Sequence, residues 1–255
     1  MSSLTPREIA GRAGGWLLAP ITGLVALVRH ARMFHPDGIV YAAKVELDPE
    51  APADLARVAE RLCGDAMVRL SSAWWRGRTE RPDVLGMAIR FLRDGEIADS
   101  TARSDEQDLL LATIRFPWTT PFAPLTTKFS TFLWNHYHAV SPFDVEGVGR
   151  VKLRVRSPRI ANDDGDVARD DHLARAVAGR EARFELEARR LSLLPWKRKW
   201  EPIAKMTLEH SIVVDQARLR FSPFADGRGL HPVGFVHQLR VAAYAASQRA
   251  RAVAV

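Results

Sequence analysis

Residues 84 to 96 read VLGMAIRFLRDGE. The first nine form a strand-length apolar run, and the polar Arg-Asp-Gly-Glu behind them is a hairpin turn signal. Similar runs lie on both sides. Downstream comes DLLLATIRF at 108–116, and upstream, across the polar turn RGRTERPD, comes AMVRLSSAWW at 66–75. Further upstream, IVYAAKVEL at 39–47 puts Ile39, Tyr41, Ala43, Val45 and Leu47 on one face, as a half-buried strand does. Between these two lies a helical pattern, with Asp48 or Asp54 as its start and Leu55, Val58 and Leu62 at helical spacing. Toward the C-terminus the strand pattern returns in GRVKLRVRS (149–157), EARFELEARRLSL (181–193), AKMTLEHSIVV (204–214) and ARLRFSPF (217–224).

Three stretches break the strand train. Prolines bound a loop near 120, behind which 125–140 is expected to be a helix; DDHLARAVAGR is expected as a short helix ending at Gly179; and 233–255 is alanine-rich and helical. Eight antiparallel strands can close into a barrel with room inside for side chains or one ligand. No internal repeat and no low-complexity linker interrupts the chain. The expectation is one α+β domain over 1–255: an eight-stranded antiparallel β-barrel with flanking helices, including an N-terminal helix within 1–31.

The composition is that of an ordinary globular chain, with 47% apolar and 26% charged residues. Lys and Arg exceed Asp and Glu by 37 to 30. The arginines are scattered, and Trp74, Trp75, Trp196 and Trp200 are too sparsely interleaved with them to form a nucleic-acid stacking surface. No nucleic-acid partner is expected. The single cysteine, Cys63, permits neither an internal disulfide nor a zinc knuckle, reads as a small buried apolar residue, and points to a cytoplasmic setting. WLLAPITGLVALV at 16–28 is shorter than the ~20 residues a membrane span needs, and Pro20 and Gly23 interrupt it. Peripheral membrane contact through 16–28 and a homodimer stay open.

Three groups of residues carry possible chemistry. His35 stands at the mouth of the first strand, with Arg32 three before it and Gly38 three after. Arg69 and Ser71 lie two apart on a strand and therefore face one side, where an arginine is costly unless it meets an anion. On the C-terminal helix, Arg240, Tyr244 and Arg251 share one face. A cation one turn away favours the phenolate, which is a hard anionic ligand suited to ferric iron. Each group also has an ordinary reading as a packed or solvated side chain. His136 and His138, two apart, are wrongly spaced for one face of a helix and read as polar surface or cavity lining.

Taken together, these pieces resemble the haem catalases and their smaller catalase-like relatives. The resemblance is carried by Arg32-x-x-His35-x-x-Gly38, by VRLSS, by RPDVLGMAIRF (which keeps Asp83, Gly86, Ala88 and Phe91 of the family pattern), and by FSPF with GLHPVGFVHQLRVAAY near the end. It implies a barrel of catalase type and haem b as cofactor. His35 would be the distal acid-base residue, supported by Ser71, and Tyr244 the proximal iron ligand, supported by Arg240. Arg32, Arg69 and Arg251 would hold the propionates. The implied substrate is hydrogen peroxide or an organic hydroperoxide, with an unidentified reductant. The family's distal asparagine has no clear counterpart, its place falling near Asp105, and the chain is about half a full catalase in length. A barrel of the same fold that binds a hydrophobic ligand or haem without turnover is the alternative.

Overall fold

The structure is a computed structural model and describes residues 38–73, 82–93, 101–115, 123–139, 141–157, 167–191, 199–216, 218–234 and 237. Ten strands appear: β1 Gly38–Leu47, β2 Gly64–Ser72, β3 Leu85–Phe91, β4 Gln107–Ala112, β5 His136–Ala139, β6 Phe143–Val145, β7 Gly149–Arg156, β8 Arg183–Arg190, β9 Glu201–Ser211 and β10 Leu230–Pro232. They form one antiparallel sheet ordered β10-β6-β7-β5-β4-β3-β2-β1-β9-β8. A further pairing of β7 with β8 joins the sheet to itself. Eight strands thus close into the expected barrel, while β6 and β10 pair on from β7 and add Phe143, Val145 and Leu230 to the same core.

Alternation decides which side chains go inside. On β1 and β2, Tyr41, Ala43, Val45, Ala66, Val68 and Leu70 point into one large core, shared with Met87, Ile89 and Phe91 of β3, Leu153 of β7, Phe184 of β8 and Leu208 of β9. Helix α1, Ala53–Glu60, connects β1 to β2 and buries Leu55, Val58 and Ala59 in that core. The short helix α2, Ala123–Thr126, precedes β5, and α3, Arg169–Ala178, packs against β9 and joins β7 to β8. Arg169, buried at the start of α3, donates to the Ser72 hydroxyl at 2.5 Å and to the Phe129 carbonyl at 2.8 Å. The helix is therefore tied to the end of β2 opposite α1.

Two expected elements are corrected. The stretch 125–140 is not a helix: after α2 it makes a turn and then strand β5. The Asn135 side chain organises that turn, with its Oδ1 accepting the Lys128 amide and its Nδ2 donating to the carbonyls of Lys128 and Thr131. Trp134 takes a positive φ of 65°, which ends any helix there. The stretch 218–224, expected as part of a strand, forms only an isolated bridge between Arg220 and Thr101. It belongs to a strap, 212–216 and 218–229, lying across the outside of β1–β4. The expected helices at 1–31 and 233–255 lie outside the described residues, apart from Val233, Gly234 and His237.

Candidate functional site

The outward face of β1–β4 is built in rows, because antiparallel partners in register share a face. One row reads Gly38, Ser71, Gly86, Ala112. The next reads Val40, Arg69, Ala88, Leu110, and the third Ala42, Met67, Arg90, Asp108. Beyond the first row sit Ala73, Val84 and Ile114, which pack with Ala112. The first row is therefore a floor of small side chains across four strands, about 14 Å wide at ~4.8 Å per strand, with Ser71 its only polar group.

The strap covers the other end of this face. Leu219 and Phe221 pack on Val40 and Met67. A buried ion pair anchors them: Arg90 Nε and Nη2 donate to Asp108 Oδ1 and Oδ2 at 2.8 and 3.0 Å. Arg90 Nη2 also donates to the Arg220 carbonyl at 2.5 Å, and the Ser222 amide donates to Asp108 Oδ2 at 2.8 Å. From the strap, β10 runs alongside β6 from Leu230, whose carbonyl accepts from Gln107 Nε2, toward Val233, whose amide donates to Pro142. Val233 and Gly234 thus lie beside Pro142, at the Ala139 side of the barrel, where Leu111 and Ala112 pair with β5. Gly38, the first described residue, also lies at that end of the sheet.

Of the residues to which the resemblance gives a haem role, Arg69 and Ser71 are described. Both are buried and both face outward, Ser71 on the small-residue floor and Arg69 one row in. The Arg69 guanidinium reaches back over Gly38: a Cβ added there would lie 2.8 Å from Arg69 Cζ and 2.7 Å from the Leu70 carbonyl oxygen. Arg32, His35, Arg240, Tyr244 and Arg251 lie outside the described residues, as does 16–28. Among the described residues, no helix is long and apolar enough to cross a membrane, and no three His, Cys, Asp or Glu side chains converge as metal ligands.

The register also places Asp105, near which the resemblance puts the family's asparagine. Asp105 lies in the turn that leads into β4, its backbone against Gly227 of the strap. It is at the opposite end of β4 from Ser71. The β4 residue level with Ser71 and Gly86 is Ala112, which offers no side-chain hydrogen bond.

A second polar concentration lies on β5, β7 and β8. His136 and His138, on a strand and not a helix, do share a face, with rings stacked 6.2 Å apart. Burial pushes His138 down to about 4, helped by Arg154, His136, Arg115 and Lys152. Trp200 fills the groove beside it, edge-on to His138, with the guanidinium carbons of Arg154 and Arg189 4.5 and 4.7 Å from its ring centre. Glu187 pairs with Arg154 and Arg156, so the cluster is partly neutralised. Cys63 is half-buried, and burial followed by Glu60 pushes its thiol up, which keeps it protonated and unreactive.

The fold and this face define a class: a closed eight-stranded antiparallel barrel whose outer β1–β4 surface carries a small-residue floor beside a buried arginine. No family model and no curated protein matches the chain. Among solved structures, 54 chains match. One is the structure of a bacterial catalase, with a TM-score of 0.55 and 12% identity, covering 87% of this chain and 57% of that one. The fold is catalase-like, and the chain spans 57% of that catalase's length.

Proposed function

We propose that this chain is a catalase-like haem protein that reduces hydrogen peroxide or an organic hydroperoxide at the expense of an unidentified reductant. The observation that carries the reading is the floor Gly38–Ser71–Gly86–Ala112 beside Arg69, on a barrel similar to that of a bacterial catalase. A flat ligand needs a surface without projecting side chains, and its carboxylates need a buried cation; both are present. Arg69, with Arg32 and Arg251, would hold the propionates, and Tyr244, backed by Arg240, would be the iron ligand. Haem b, if bound there, would supply the redox chemistry of peroxide reduction. His35 would take a proton from the peroxide at an imidazole nitrogen and return it to the departing oxygen. Ser71 is level with Gly38, which stands three residues past His35 in the sequence, and would orient that ring.

The test is hemin addition to the purified chain. A high-spin ferric tyrosinate spectrum is expected, and it should disappear in Tyr244→Phe. His35→Ala should keep the haem but slow peroxide decay by about tenfold or more, the range of a lost general acid-base group. Absence of a Soret band overturns the reading. A specific observation favours a second one. Ala112 leaves the floor without the amide that would give bound peroxide another hydrogen bond. A barrel that holds haem without turnover would show the Soret band and no peroxide decay, and one that holds another hydrophobic ligand would show neither.

A further inference from the structure

Gln216 ties together three segments that are distant in sequence. It sits on the strap, where its Oε1 accepts from Arg69 Nε at 3.2 Å and its Nε2 donates to the Gly38 carbonyl at 3.1 Å. One contact reaches the middle of β2 and the other the start of β1. A primary amide suits this place because it carries an acceptor and a donor on one carbon; a carboxylate accepts only, and an ammonium donates only. The contacts also set the attitude of the guanidinium. Arginine presents its five N–H groups in a rigid fork, so fixing Nε fixes the direction of the two terminal nitrogens. The glycine is part of the same device, since any side chain at 38 would strike Arg69 Cζ or the Leu70 carbonyl.

We propose that Gln216 is a positioning residue that holds Arg69 across the Gly38–Ser71 end of the face, aligned for a bidentate contact with a carboxylate of the bound ligand. This rests on the haem reading above in naming that carboxylate a propionate. It goes beyond that reading by assigning the strap a part in ligand binding. It also gives the strap a reason to be locked down by Arg90 and Asp108: a clamp can orient an arginine only if its own backbone is fixed.

Gln216 has an exposed outer side, so substitutions there leave the core intact. The experiment compares the full chain with Gln216→Met and Gln216→Glu. In the hemin-free protein, the Arg69 Nε–H is followed by nitrogen-edited NMR. Its exchange with water should be about tenfold faster in Gln216→Met and near wild type in Gln216→Glu, which keeps the acceptor. In the loaded protein, hemin release to a scavenger should be about tenfold faster in Gln216→Met, whereas release of the hemin dimethyl ester, whose propionates carry no charge, should be the same in both. Unchanged Nε–H exchange in Gln216→Met overturns the tie. Equal acceleration for free-acid and ester hemin overturns its role toward a carboxylate. If the wild-type chain retains no hemin, the haem reading fails by itself, and the exchange measurement still decides whether Gln216 positions Arg69.

Discussion

Arg90 shows how one residue's setting can decide what a substitution does. Its side chain is fully buried, and the carboxylate of Asp108 meets it in a two-point contact. The Phe221 ring lies 5.0 Å from the guanidinium carbon, so the pair is sealed from water. Asp108→Asn would remove the two-point carboxylate contact from a buried cation, leaving Glu106 Oε2 3.9 Å from Arg90 Nε, and should cost about 3 kcal/mol in urea denaturation. Replacing both partners, as Arg90→Met with Asp108→Leu, should recover most of that loss, because the desolvation cost disappears with the charges. If the double variant is as unstable as the single one, the pair is not the source of the cost. His138 gives a pH prediction. Its folded value, about 4, lies below the ordinary 6.5, so between those values the unfolded chain binds more protons. Stability from this group is present above pH 6.5 and is lost as pH falls toward 4. His138→Gln should therefore flatten the fall in stability between pH 7 and pH 4.5, measured by chemical denaturation at each pH. A slope unchanged by the substitution would show that His138 does not contribute.

The elements differ in how far the sequence betrayed them. β1–β3 were legible because both neighbours and both faces agree: alternating residues enter the barrel, and polar turns separate the runs. Helix α3 was legible from its stop at Gly179, which the structure places at its C-terminal cap. The turn before β5 was not, because its order comes from one Asn135 side chain satisfying several backbone groups, and no periodicity records that. The strap misled for a related reason. Leu219 and Phe221 alternate like strand residues, yet the surface they cover is the outside of other strands. Arg69 and Ser71 could be read as one pair from their spacing, whereas Gln216 could not, since only the folded strap brings it to them. The strap's apolar anchors make a prediction at this scale. Leu219 is fully buried, and Leu219→Ala should cost about 2–3 kcal/mol in urea denaturation. Val213→Ala, at a wholly exposed position of the same strap, should stay within about 0.5 kcal/mol of wild type. Equal effects at the two sites would mean that the strap does not pack on the sheet as described.

Closure governs the whole molecule. Each ring strand has a partner on both sides, so the ring offers no free edge. β1 joins β2 over eight register pairs and β9 over seven, and β7 joins β8 over six. The seam between β4 and β5 is held by two register pairs only. Breaking a long seam exposes the core on both walls at once, whereas the short seam can part with little loss of paired backbone. Native-state hydrogen exchange should resolve this difference. Amides within Tyr41–Val45 of β1 and Ala204–Leu208 of β9 should exchange only through global unfolding, with the same free energy to within about 1 kcal/mol and the same urea dependence. Amides at the β4–β5 seam, and those of Leu219, Ala225 and Gly227 on the strap, should open at lower free energy with little urea dependence. The floor Gly38–Ser71–Gly86–Ala112 ends at that seam, so a ligand seated on it should raise protection at Ala112 and Ala139 more than at β9. Exchange from β9 by an opening that leaves β1 protected would contradict a barrel that unfolds as one unit.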